Sequence, residues 1–392
     1  MKKLTLTFFL IIVAAGCILY LPYDENRERP VSTYEPPPVT TPVYGEISIG
    51  YIYDYLGNYG YWVYYSPYGY VWVPRGVGRH WRPYTNGRWV WTEYGWTWIS
   101  HYPWGWIPFH YGRWGWDVQL GWYWVPDIIW APAWVVWRFG DLYLGWAPLP
   151  PGVEFVVGYG LRWHPRDLPH HYWVFIESRR FHSHQLSSWI LPPERNITII
   201  NYTVIRDRYT FRDRNIIIND AVSPQEIERI TGRPVTKVTL REIKKPEEAG
   251  VGVDEVRIYK PVIKQEQVVP KSALKKEEAE QKIRLSDKAD FPENIELIHK
   301  QETYLLEKTQ KMEIERLKKQ VDEETRTAPP QEKQKKMSEV QAKIEELKKN
   351  HEKEKQELQK RQSEEKRVIK KEDIKKKSEE EKTIRTLSNF RP

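Results

Sequence analysis

The sequence predicts a mainly β fold, tandem Trp-rich antiparallel hairpins plus a small β-rich region, followed by a long α-helical, coiled-coil-like tail. Three observations predict it. All 20 Trp of the 392 residues lie between Trp62 and Trp189. Within that stretch a short aromatic motif recurs at intervals of 26, 26 and 24 residues, with aromatic side chains at every second position; a period of two marks a strand with one buried face. From about residue 271 Lys and Glu dominate, and apolar residues return at intervals of seven, the spacing of a helical seam.

Lys2 and Lys3 precede an apolar run from Leu4 to Ala15. A run of about a dozen falls well short of the roughly 20 residues of a membrane-spanning helix, and with its basic start it predicts a signal peptide over residues 1–16. Ala14-Ala15-Gly16-Cys17 resembles the bacterial lipobox, with Ala14 where the usual motif has Leu. The resemblance implies that Cys17 is diacylated and becomes the new N-terminus. It also implies that Ile18, in place of Asp, sends the product to the outer membrane of a Gram-negative host. Each buried methylene of the acyl chains adds about 0.8 kcal/mol to anchoring. Cys17 is the single cysteine, so no internal disulfide forms and the exported chain depends on packing. Residues 17–44 then read as lipid anchor and linker, because six prolines from Pro22 to Pro42 favour an extended spacer.

Residues 45–152 read as the Trp-rich hairpin-repeat domain. Tyr68 to Pro74, Tyr94 to Ser100, Leu120 to Pro126 and Leu144 to Pro150 are four copies of one motif. Partner strands precede them at Trp62 to Tyr64, Trp89 to Trp91, Trp114 to Trp116 and, more loosely, Trp134 to Val136. The two central copies agree most fully: Trp81, Pro83, Gly87, Arg88 and Trp89 are answered 25 residues later by Trp106, Pro108, Gly112, Arg113 and Trp114. That is a tandem duplication. Placing the turn at Thr92 to Gly95 sets Trp91 opposite Trp96 and Trp89 opposite Trp98. The neighbouring copies then pair Trp116 with Trp122, Trp114 with Trp124, Tyr64 with Tyr70 and Trp62 with Trp72, every pair on one face. An isolated two-stranded hairpin is marginal in water, so the copies are expected to share a sheet or to stack.

Residues 153–265 read as a small β-rich region with one short helix. Strands are expected at Tyr172 to Glu177, Ile197 to Val204, Asn215 to Ile218 and Val235 to Ile243, each rich in β-branched residues. Ser223-Pro224-Gln225-Glu226 supplies a capping Ser, a first-turn Pro and a Glu three residues on, and Gly232 closes the helix. Residues 266–392 read as a charged helical or coiled-coil tail, partly disordered. Ile298, Leu305 and Met312 fall seven apart, as do Val340 with Leu347 and Ile344 with His351 and Leu358. Pro329-Pro330 divides the tail into two arms.

Gly87 to Trp96, His110 to Trp114 and Gly145 to Pro150 together resemble an uncharacterised Trp-rich family of exported bacterial proteins, often labelled YXWGXW repeat. The likeness spans roughly residues 45–265 and implies an all-β domain. It implies no catalytic residue, since that family has no established activity.

The net charge of +8 is spread over Arg in the first half and Lys-Glu mixtures in the second. No basic block is free of acidic neighbours, so nucleic acid is not an expected partner. Each Trp covers roughly 150–250 Å², and a dozen left in solvent would exceed the few hundred Å² of apolar patch usual for a monomer. Most are therefore expected in the core, with the remainder free to stack on sugar rings. The candidates for stacking are Trp89, Trp91, Trp96, Trp98, Trp114, Trp116, Trp122 and Trp124. Arg88 and Arg113 are expected on the opposite face, over Tyr rings or paired with Glu93 and Asp117. Glycoside hydrolysis needs two placed carboxylates, and residues 60–150 offer only Glu93, Asp117, Asp127 and Asp141, in no recognisable motif. His164, His170, His171, His182 and His184 follow the repeats, His182 and His184 on one strand face. With no Cys nearby and Arg179 and Arg180 adjacent, no metal site is expected. No cofactor is expected either, because no glycine-rich loop precedes a helix.

The sequence thus points to a non-enzymatic, lipid-anchored envelope protein acting as a structural or interaction scaffold. The alternative is a carbohydrate- or peptidoglycan-binding lipoprotein using exposed Trp. Expected partners are the membrane, through the lipid, and a second copy or another envelope protein, through the helical tail. A cell-wall glycan belongs to the alternative.

Overall fold

The structure is a computed structural model that describes residues 45–388 apart from 78–80, 118, 157–159, 163–167, 213–215, 253 and 291–294. The expected signal peptide, Cys17, the Pro-rich linker and His164 lie outside the described residues. A short strand β1 (Glu46–Ser48) leads into helix α1 (Ile49–Gly57), which the Ser48 hydroxyl caps by accepting the Tyr51 N–H at 3.2 Å. Tyr51, Tyr53 and Tyr55 alternate as in a strand, yet the segment is helical because Ile49, Ile52 and Leu56 bury one face.

Four hairpins follow: β2 (Gly60–Tyr65) with β3 (Gly69–Pro74), β4 (Gly87–Thr92) with β5 (Gly95–Ser100), β6 (Arg113–Asp117) with β7 (Gly121–Val125), and β8 (Val135–Phe139) with β9 (Tyr143–Pro148). The register of the first three is the expected one, with Trp62 opposite Trp72, Trp89 opposite Trp98 and Trp114 opposite Trp124. In the fourth the partner of Trp146 is Trp137. The expected partner strand, Trp134 to Val136, overlaps the start of β8 but begins one residue early and stops short of Trp137, because Trp134 sits before β8 and donates its indole N–H to the His110 carbonyl. The copies do not share one sheet. The first and third join edge to edge at Trp72 and Trp124. The second and fourth each anchor a different sheet and stack through Trp89 and Trp137, whose rings lie 4.5 Å apart.

Two glycines in each of the first three repeats explain why the motif has its form. Gly69, Gly95 and Gly121 open the second strands at φ of +77°, +84° and +70°, a backbone region that side chains with a Cβ rarely adopt. Gly60, Gly87 and Gly112 sit one residue before the first strand's Arg or Tyr, and a Cβ on any of them would fall on a carbonyl oxygen of the partner strand and on the indole of Trp72, Trp98 or Trp124. The Gly-x-Trp spacing therefore encodes a close approach of backbone to ring. Gly87→Ala is expected to lower stability by about 1–3 kcal/mol through overpacking. Thermal denaturation checks this, and an unchanged midpoint would show that the ring moves aside freely.

The chain beyond the hairpins completes their sheets rather than forming a separate one. After a small hairpin of β10 (Glu154–Val156) and β11 (Gly160–Arg162), β12 (Val174–Glu177) adds to β9. The stretch from Ile197 to Val204, expected as a strand, is instead a helical turn, α2 (Asn196–Ile199), flanked by 3-10 turns, with only Val204 entering β13 (Val204–Arg206). Its side-chain bonds decide this: Asn196 donates to the carbonyls of His170 and Trp173, both at 2.7 Å, and Thr198 donates to Glu354. β13 adds to β8, while β14 (Tyr209–Arg212) and β15 (Ile216–Asn219) extend the sheet of the second hairpin. Helix α3 (Pro224–Thr231) carries the expected capping box of Ser223 and Glu226, and Gly232 closes it in the left-handed conformation.

A three-stranded sheet of β16 (Thr239–Ile243), β17 (Gly250–Val251) and β18 (Glu255–Tyr259) comes next, and β19 (Val262–Lys264) returns to pair with β1. Helix α4 (Lys276–Asp290) covers the outer face of the first sheet, where Ala279 meets Val63, Val71 and Tyr123. Helices α5 (Ile295–Glu324) and α6 (Pro330–Ser388) form an antiparallel pair divided at the expected prolines, with His299 facing Glu365 and Glu313 facing His351.

Candidate functional site

Burial sorts the eight candidate stacking residues. Trp89, Trp96, Trp98, Trp114, Trp122 and Trp124 are core side chains. Trp91 is half-buried and Trp116 is 40% exposed, at the turn ends of their hairpins. The other residues singled out by the sequence are scattered. Arg113 lies in the interior over the Trp134 ring at 3.6 Å, not over a Tyr. Asp117 binds Lys276 at 3.0 Å and Tyr65 at 2.9 Å, and Glu93 accepts the Leu240 N–H at 3.1 Å. Asp141 meets Arg229 at 3.0 Å. Each of these carboxylates is occupied in a different part of the fold. His182 and His184 sit in a turn rather than on a strand, one bonded to Thr231 and the other to Arg88. Among the described residues no group of three His, Cys, Asp or Glu is placed to hold a metal ion.

What the fold does bring together is a groove beside the second hairpin. Arg88, on β4, reaches across to the His184 Nδ1. On one side of this bridge lies a cavity of about 730 Å³ bounded by β5, the turn after it and the β16–β18 sheet. On the other lies a cavity of about 610 Å³ along β4 and residues 234–238. Arg88, His184 and Val251 line both. The walls are cationic and aromatic: Arg257, His101 and Tyr102 face the first cavity, Trp91 and His182 the second. Burial and the neighbouring Arg88 hold His101 below the ordinary histidine range. Burial pushes His110, also on the first cavity, down to about 4, so its ring is neutral at pH 7. The sequence shows that Arg88 points away from the Trp face; it does not show which distant segments close over it.

A second assembly lies where the helical pair meets the β region. Arg195, 1% exposed, donates to both oxygens of Glu354 at 3.1 and 2.9 Å and to Glu313. Gln310 and Thr198 also donate to Glu354, and His351 and Tyr143 bond Glu313. Burial alone would push the Glu313 carboxyl up; His351 and Arg195 more than offset it and hold it below the usual range. Beside this cluster Arg361 joins Glu194, Glu302 and Glu365. The tail is thus docked, not free.

Residues 53–153 match a family of unknown function, DUF6600. The match begins in α1 and ends just after the fourth hairpin, so it covers the repeats and not the strands or helices that complete the sheets. No curated protein and no solved structure matches the chain. No helix among the described residues is long and apolar enough to cross a membrane.

Proposed function

We propose that the protein is a non-enzymatic interaction scaffold of the bacterial envelope, held on the outer membrane by acyl chains on Cys17. The basic start, short apolar run and small residues before Cys17 support the anchor. The observation that supports the scaffold reading lies on α5. Its Leu306, Gln310 and Glu313 are buried, whereas Leu305 and Met312 remain 45% and 40% exposed. These two residues, part of the seven-residue seam expected from sequence, face outward instead of forming the contact with α6. A seven-residue apolar interval is the one at which a helix receives a second helix, and a copy of the same chain is the simplest occupant, since one stripe complements itself about a twofold axis.

Sedimentation equilibrium of the mature chain in detergent tests this. The expected result is a mass that rises with concentration and an association about tenfold or more weaker in Leu305→Lys/Met312→Lys, a change of about 1.4 kcal/mol. A monomer at every concentration would remove the reading. The groove favours a second reading, glycan binding, and the following inference rests on that one.

A further inference from the structure

In three of the four hairpins the innermost cross-strand Trp pair donates both of its indole N–H groups to protein acceptors, and in the second that pair does not. Trp62 and Trp72 donate to the carbonyls of Tyr53 and Leu56 at 2.9 and 2.8 Å, and Trp114 and Trp124 to those of Pro108 and Tyr111 at 2.9 and 2.7 Å. Trp137 and Trp146 donate to the Asn219 side chain and the Tyr84 carbonyl, both at 2.9 Å. In the second hairpin the Nε1 of Trp89 and of Trp98 is buried with no acceptor among the described residues. Such a donor costs about 1–3 kcal/mol and calls for a reason. Both rings belong to the walls of the groove, Trp98 to the first cavity and Trp89 to the second.

The charge of the groove is equally one-sided. Neither Arg88 nor Arg257 forms an ion pair with a carboxylate among the described residues, and Glu247 is the one acidic residue lining either cavity. Half-buried Trp91 and Tyr102 add flat apolar faces. Each cavity falls within the roughly 300–1,000 Å³ of small-ligand sites.

We infer that this groove binds a carboxylate-bearing oligosaccharide. A guanidinium fork takes a carboxylate through two parallel hydrogen bonds. Aromatic faces, here those of Trp91 and Tyr102, receive the apolar faces of sugar rings. The contact stripe on α5 plays no part, so the two readings stand or fall separately.

Calorimetric titration of the full chain tests the inference with two probes of equal length: a tetrasaccharide of alternating N-acetylglucosamine and N-acetylmuramic acid, and neutral chitotetraose. The first is expected to bind with a shift in Trp fluorescence, and the second at least about tenfold more weakly. Arg257→Gln, an exposed site, and Arg88→Gln are each expected to weaken the acidic probe by about tenfold or more, roughly one lost charge-assisted contact. If Arg88→Gln lowers the melting temperature, Arg257→Gln decides alone. Equal binding of both probes overturns the role of the carboxylate. Binding of neither at millimolar concentration overturns the site, while leaving the self-association of α5 untouched.

Discussion

Glu354→Ala is expected to lower the unfolding free energy by about 3–5 kcal/mol, the effect of removing one partner from a buried ion cluster. Glu354 is fully buried and accepts from Arg195, Gln310 and Thr198. Its loss leaves Arg195 with Glu313 and strands the Thr198 hydroxyl and one N–H of Gln310, whose amide keeps only the His351 carbonyl. Glu354→Gln keeps an acceptor and the shape, so it is expected to cost less. Denaturant titration followed by Trp fluorescence measures both, and a loss below about 1 kcal/mol for the alanine variant would mean that α6 does not seal this contact. Acid acts in the same direction. Glu313 titrates below its ordinary 4.5, so the stability it lends is whole above that value and drains as the pH falls through its folded-state value. His110 is a base held down from 6.5 to about 4; it stays neutral in the folded chain while the unfolded chain takes up a proton, and it therefore also removes stability as the pH falls across that window. The unfolding free energy is expected to decline between pH 7 and pH 4.5 through His110 and to keep falling below pH 4.5 through Glu313; a rise in the first interval would contradict the His110 assignment, and a plateau below pH 4.5 the Glu313 assignment.

The hairpins were legible because their information is local. Period-two aromatics and the turn glycines at 69, 95 and 121 determine which residues face each other, and the structure pairs the same Trp residues. How the copies assemble was not legible, since the edge contact of Trp72 with Trp124 spans 52 positions and no local pattern encodes it. The helical tail shows the same division. Its prolines and charge pattern mark two arms, but its docking depends on Arg195, a residue that in sequence is one Arg among many. Ile197 to Val204 has strand composition, and the side-chain bonds of Asn196 and Thr198 to distant partners override that propensity. The groove is half legible: the alternation puts Arg88 on the face away from the Trp core, while His184 and Arg257 arrive through tertiary folding.

Trp124→Ala is expected to cost about 3–5 kcal/mol, and Trp116→Ala no more than about 1 kcal/mol, although the two residues belong to one hairpin and one motif. Trp124 is fully buried, packs 6.4 Å from Trp62, covers Gly112 and donates to the Tyr111 carbonyl. Truncating it opens a cavity at the junction of the first and third copies and leaves that carbonyl unpaired. Trp116 meets only the rim, with its ring 4.6 Å from His171 and two-fifths of its surface in solvent. A protein whose Trp face served as an open ligand platform would give the reverse result, with Trp124 dispensable for folding and needed for binding. Measuring both variants by denaturation therefore asks directly whether the repeat was built to pack. The turn end of the ladder, at Trp116 and half-buried Trp91, is the part that packing leaves in contact with solvent.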